Sequence, residues 1–404
     1  MNHYDLLAPL SHGPGPEFVS GQGAALRDAQ GNEYLDFNEI CVTLGQGDAY
    51  FTEKMKQALE GLTCGKSHVY RDQLYELLME TTHGDFSAVH LTASGSESAE
   101  WAVKLAQKIT GRSEVLSFWN SIHGRTHLSA SMSGLSKRKT GYGPLSPGTV
   151  FGIYPDCGHC PLEHEPGSCS FACLRLLDRK VAMESAQDIA AVIVQPYQGA
   201  GVICPPDGWL KELEQWARRR GALFVLDEIQ SGMGRSGCLY HYQRLGLQPD
   251  MLLLGKSLGN GLHISALLVK DRPSQSCLPA LTGGSGDNPL ACAAACAVIQ
   301  RLQEGLLDQI SKTGDHLRRR LEQLQARYPA VTEIRTQGLA AAIELASPQV
   351  CAQVSQSLAQ ARVLTAPYGD RALMFKPPFS VTAEQIDRAV EAAAQGLSSP
   401  PQAL

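Results

Sequence analysis

No uninterrupted apolar run in the 404 residues approaches the ~18 needed to span a bilayer, so no membrane partner is expected. Nor is there a long run of one charge. Thirty-five basic residues stand against 40 acidic ones, for a formal charge of -5, and that mixture has no patch to draw nucleic acid or anionic lipid. The opening MNHYDLLAPLSHG lacks the basic head and apolar middle of a secretion signal, and we expect a cytoplasmic protein. Repeats are absent, and low complexity is confined to the polar end SSPPQAL. These exclusions leave a small, charged metabolite as the natural partner.

The chain is 43% apolar, enough for a large core in one big α/β unit or two closely joined domains. Most of the 12 cysteines stand singly in apolar stretches such as LACAAACAVI, where a reduced cysteine serves as a small core residue. Short apolar or β-branched runs at 88–91, 115–118, 191–194, 222–226 and 251–254 alternate with helical stretches such as 210–219. Such alternation predicts a mainly parallel sheet flanked by helices. Near the end, Thr382-Ala-Glu-Gln385 has the spacing of a capping box, and Pro377-Pro378 keeps that helix from starting earlier.

Three segments carry chemistry. Thr92-Ala-Ser-Gly-Ser-Glu97 follows a strand and opens a helix, where small residues let backbone N–H groups approach a phosphate; a plain helix cap is the other reading. Asp227 ends the apolar strand Leu223-Phe-Val-Leu-Asp227, at the edge where open α/β sheets bind ligands. It can stay ionised against a cation such as a protonated pyridine nitrogen, or simply cap the next turn. Lys256, in Met251-Leu-Leu-Leu-Gly-Lys-Ser257, stands just past another strand among Gly255, Gly259 and Gly261. Such a lysine is either solvated or, in apolar surroundings, an amine of lowered pKa that attacks an aldehyde.

In order and wording these segments resemble the class III aminotransferases over nearly the whole chain. The resemblance runs from Tyr34-Leu-Asp-Phe37 through Ser94-Gly-Ser-Glu-Ser-Ala-Glu100, His123-Gly-Arg-Thr126, Gln198-Gly199, Asp227 to Gly237, Gly255-Lys-Ser257 and Asn288-Pro-Leu290. It implies a fold-type I α/β enzyme that uses pyridoxal 5'-phosphate and works as a homodimer. It further implies that Lys256 forms the Schiff base and moves protons, Asp227 pairs with the pyridine nitrogen and Gln230 bonds the ring hydroxyl. Gly95 and Ser96 would hold the phosphate, Ile122 and His123 would lie at the cofactor, and Arg125 would meet a substrate carboxylate. The expected domains are 1–50 as part of a small domain, 51–290 as the large cofactor-binding domain and 291–404 as the C-terminal small domain.

The chain departs from the family pattern at several points. Ile122 replaces an aromatic residue that stacks on the ring, at a cost of roughly 1 kcal/mol. Gly284 replaces the threonine that reaches a neighbouring subunit's phosphate, leaving Ser285 or Thr282 as substitutes. Ala200 replaces a glutamate and Met374 an arginine, and neither Arg371 nor Lys376 is expected to replace that arginine. Four further cysteines are clustered as Cys157-Gly-His-Cys160 and Cys169-Ser-Phe-Ala-Cys173, close to zinc-ribbon spacing; the first reading is a reduced loop near the dimer interface, the second a structural zinc, and the third an iron–sulfur centre.

The expected activity is transfer of an amino group between a carboxylate-bearing amine and an oxo acid. The alternatives are a racemase, epimerase or aminomutase on the same scaffold, or a binding protein that has kept the fold. With Ala200 and Met374 apolar, 2-oxoglutarate and glutamate are expected to be poor substrates, and alanine with pyruvate, or an internal transfer needing no second substrate, becomes the better expectation.

Overall fold

The computed structural model describes residues 16–61, 67–271, 273–274 and 286–398. The apolar runs become the strands of a seven-stranded sheet: β4 (Ala88–Thr92), β5 (Glu114–Phe118), β6 (Thr149–Gly152), β7 (Ile189–Val194), β8 (Leu223–Asp227), β9 (Met251–Leu254) and β10 (Ser265–Val269). Their order is β4-β10-β9-β8-β7-β5-β6. Neighbours from β9 to β6 pair in parallel, while β10 runs antiparallel to both β4 and β9. Residues alternate between the two faces. Ile193, Val225, Leu253 and Leu267 pack with the buried residues of one helical layer, whereas Val194, Leu226, Leu254 and Leu268 join the larger core on the other side.

Two further four-stranded sheets flank this layer. One contains β1 (Phe18–Gln22), β2 (Ala25–Asp28), β3 (Glu33–Asp36) and β13 (Val363–Leu364), so the two ends of the sequence meet in a single sheet. The other is ordered β11 (Val331–Gln337), β12 (Ala340–Leu345), β15 (Ala372–Phe375) and β14 (Ala366–Tyr368).

The helices are α1 (Ala49–Glu60), α2 (Val69–Thr81), α3 (Gly95–Thr110), α4 (His127–Ser131), α5 (Ala172–Glu184), α6 (Trp209–Arg219), α7 (His241–Arg244), α8 (Pro289–Arg301), α9 (Leu307–Arg327), α10 (Pro348–Gln360) and α11 (Ala383–Ser398). In α6, Trp209, Leu210, Leu213, Trp216 and Ala217 are buried, the one-sided pattern of a helix lying on a sheet. The capping box ahead of α11 forms in both directions. The Thr382 N–H donates to Gln385 Oε1 at 3.0 Å, and the Gln385 N–H donates to Thr382 Oγ1 at 3.3 Å.

Helix α8 begins on Asn288, whose side chain accepts from the N–H groups of Leu290 and Ala291, with Pro289 in the first turn. Its alanines and cysteines are buried all round, packed on α1, α2 and the Lys256 turn. Together with α9 and the π-turn between them it forms the one described helix long and apolar enough to cross a bilayer, and that apolar stretch is 61% buried in the core.

Candidate active site

The carboxyl ends of β4, β8 and β9 converge on a cavity of about 420 Å³. Gly95, Ser96, Ile122, His123, Arg125, Asp227, Gln230 and Lys256, taken from the sequence as site residues, all line it. Ser285, Gly284 and Thr282 lie outside the described residues.

Asp227 is the last residue of β8 and 2% exposed. Its Oδ2 meets His123 Nδ1 at 2.7 Å, and its Oδ1 accepts from the Ile229 N–H at 3.1 Å. The carboxylate is thereby fixed in direction before any ligand arrives. His123 Nε2 is buried without a hydrogen-bond partner, so its recorded role runs through Asp227.

Lys256 opens the short turn after β9 with φ +38, a left-handed conformation that a lysine adopts only under strain. Burial pushes its amine below the ordinary lysine range, against the smaller opposing pull of Cys41 and Asp227. That favours a neutral, nucleophilic amine.

At the start of α3 the plain cap and the phosphate reading coexist. Ser94 caps the helix by accepting from the Glu97 N–H, and Glu97 returns a bond to the Ala93 N–H at 2.9 Å. The first-turn residues Gly95 and Ser96 face the cavity with the positive end of the helix dipole behind them. A side chain at Gly95 would come within 2.8 Å of Ile229, so only glycine lets this turn approach so closely. The Ser96 hydroxyl accepts from the Arg125 N–H at 3.0 Å, tying the phosphate candidate to the carboxylate candidate.

Gln230 lies against Gly199, where an added Cβ would sit 2.3 Å from its Oε1. That oxygen accepts from Lys376 Nζ at 3.0 Å, which leaves the Gln230 amide N–H groups to offer a ligand. Lys376 therefore departs from expectation. It sits two residues beyond Met374 on the same face, and both line the cavity, whereas Arg371 is exposed at the far end of β15. The strand parity that separates Arg371 from Met374 also pairs Met374 with Lys376, and this was the signal available in the sequence. Arg138, Asn38, Ile40, Cys41 and Gln195 were also missed; Arg138 lies on a short turn without periodicity to betray it.

The four clustered cysteines line one small cavity of about 30 Å³, closed by Phe171, Ala172 and Pro206. Burial, and then Cys173, Cys169 and Cys160 nearby, push the Cys157 thiol up, and the Trp209 indole N–H donates to Cys173 Sγ at 3.2 Å. They do not form a closed ligand set. Among the described residues, the one group whose candidate ligand atoms all lie within 4.8 Å of one another is His159, Glu333 and Glu344. Arg335 Nη1 pairs with both of those carboxylates, so that group reads as an ion-pair network fastening the cysteine loop to β11 and β12.

A strained, half-buried lysine and a fixed carboxylate thus stand at neighbouring strand ends, with a helix N-terminus beside them. The Aminotransferase class-III family pattern matches residues 15–397. The chain is 33% identical over 381 residues to an acetylornithine aminotransferase of Listeria innocua, covering 93% of each, and 31% identical over 389 residues to that of Bacillus subtilis, covering 95% of each. It superposes with a TM-score of 0.87 and 27% identity on a PLP-bound amine transaminase from an uncultivated Pseudomonas species, covering 96% of both chains. The chain belongs to the class III aminotransferase family, and it is an aminotransferase dependent on pyridoxal phosphate.

Proposed function

We propose that this enzyme moves an amino group between a carboxylate-bearing amine and an oxo acid, with pyridoxal phosphate held covalently on Lys256. The observation that carries the reading is the placement of the Lys256 amine and the doubly bonded Asp227 carboxylate on one cavity. The residues present fit that cofactor. A glycine-relieved helix start suits its phosphate, Asp227 its ring nitrogen, the free amide of Gln230 its ring oxygen, and the side chains of Ile122 and Ile229 its apolar faces. Bound there, the group supplies the electron sink for charge left when a proton leaves the substrate carbon.

The remaining work falls to the chain's own residues. The depressed pKa of Lys256 keeps its amine available to take that proton and return it elsewhere on the substrate. Asp227 holds a proton on the ring nitrogen, and His123 keeps Asp227 pointed at it. Arg125 orients the substrate by its carboxylate. Borohydride reduction followed by peptide mapping is expected to place the adduct on the Lys256 peptide. An adduct on another lysine overturns the assignment.

The same reading extends to a homodimer and a cytoplasmic setting, both resting on the sequence. Light scattering that gives one chain per particle in the loaded enzyme removes the first. We further read Cys157, Cys160, Cys169 and Cys173 as a reduced loop, and keep a structural zinc on them as the second reading. Support for the zinc comes from their convergence on one small cavity and from the Trp209 N–H aimed at a sulfur, the kind of donor that steadies a thiolate ligand.

A further inference from the structure

Lys376 is 3% exposed, and its ammonium meets only neutral partners. Nζ donates to Gly199 O at 2.5 Å, to Gln230 Oε1 at 3.0 Å and to Met374 Sδ at 3.4 Å. Among the described residues no carboxylate forms an ion pair with it, and Asp227, the carboxylate lining the same cavity, is already engaged by His123 and the Ile229 N–H. An ammonium removed from water without a counter-charge is expensive, and an apolar side chain would fill the space at less cost. The third N–H rests on a thioether, a weak acceptor that an entering carboxylate can displace. Apart from Lys256, which the cofactor engages, Arg125, Arg138 and Lys376 line the cavity with Asp227 as the one carboxylate among its lining residues.

Resting on the aminotransferase reading above, we propose that Lys376 is the specificity-determining receptor for a second substrate carboxylate, so that dicarboxylic amino and oxo acids are the favoured substrates. Arg125 takes one carboxylate and Lys376 the other. The neutral side chains of Ala200 and Met374 leave neither charge contested. A lysine serving only to orient Gln230 would be indifferent to a ligand's second charge, and this separates the two roles.

The test uses unreactive ligands of equal length, glutarate and pentanoate, titrated calorimetrically into the cofactor-loaded wild type, Lys376→Met and Lys376→Gln. The wild type is expected to bind glutarate about tenfold or more tighter than pentanoate, and both variants to lose that preference while pentanoate affinity moves less than about threefold. Preference that survives in the variants, or is absent from the wild type, overturns the proposal. Equal weakening of both ligands also overturns it and assigns Lys376 to holding Gln230. Should the methionine variant fail to fold, the glutamine variant, polar but uncharged, decides alone. No turnover is needed, so failure of the aminotransferase reading appears separately, as wild type that transfers no amino group while the binding pattern stands.

Discussion

Two lysines face one cavity from opposite halves of the fold, Lys256 half-buried and Lys376 buried, and their surroundings differ. Lys256 follows β9 of the large sheet in a strained backbone conformation, near the Asp227 charge. Lys376 follows β15 of a small sheet, bonded to two oxygens and a sulfur that carry no charge. Burial lowers both amines, but Lys256 combines backbone strain with a nearby anion, whereas Lys376 has neutral bonding partners and is a cation only below about pH 7. Burial alone does not make a lysine a nucleophile.

Exchanging each lysine for a neutral residue is the most direct way to break this comparison. Lys256→Ala is expected to lower turnover on the order of 10,000-fold while the protein still melts cooperatively, since it removes the tether and the proton carrier together. A Lys376 variant that loses as much in kcat, rather than in KM, would erase the distinction.

Next in size is Asp227→Asn. A neutral amide cannot hold the ring nitrogen protonated, and kcat is expected to fall about 100- to 1000-fold with cofactor retained, measured by steady-state kinetics beside the visible spectrum. His123→Ala acts through the same carboxylate and is expected to cost less, about tenfold, because the Ile229 N–H still holds Oδ1. If the two variants lose equally, His123 touches the chemistry directly.

The pH dependence sharpens the role of Lys376. Burial first, then the positive charges of Lys256 and Arg235, bring its amine down to about 7. Below that value it is a cation that grips an anion; above it the grip is lost. Gly199, Gln230 and Met374 around it do not titrate, so the ratio of glutarate to pentanoate affinity is expected to fall between about pH 6 and about pH 8. Asp227, Arg125 and Arg138 share the cavity, and pentanoate over the same range corrects for them. A flat ratio means the second charge is read elsewhere.

The smallest expected effect on catalysis belongs to the cysteine loop. If the four cysteines hold zinc, elemental analysis gives close to one metal per chain and Cys157→Ser lowers the melting temperature with kcat little changed. Metal-free protein of full stability would leave the loop as reduced thiols.

The sequence made the Lys256 end of the cavity legible far better than the Lys376 end. Strand ends, glycine-rich turns and a helix start are local patterns that marked Asp227, Lys256 and the 92–97 segment as candidates, and the family resemblance chose between their readings. The antiparallel course of β10 left no local mark, because strand direction is set by which neighbours a run meets. Lys376 was weighed with Arg371 and set aside for a related reason: its meaning depends on the parity of a four-residue strand and on Gln230, 146 positions away. The expectation that dicarboxylates are poorly used rested on the apolar residues at 200 and 374, and the placement of Lys376 on the same cavity is what sets the proposal against it.

Arg235 is fully buried and donates to three carbonyl oxygens, those of Glu39 at 2.9 Å, Leu339 at 2.9 Å and Pro377 at 2.5 Å. Those acceptors come from the first tenth of the chain and from its last fifth, and Pro377 directly follows Lys376. The enzyme is therefore not modular: a fragment ending near residue 290, or beginning near residue 51, would leave guanidinium N–H groups buried and unanswered at about 1–3 kcal/mol each. Insertions and fusions have to respect a single side chain that fastens both ends of the polypeptide to its middle.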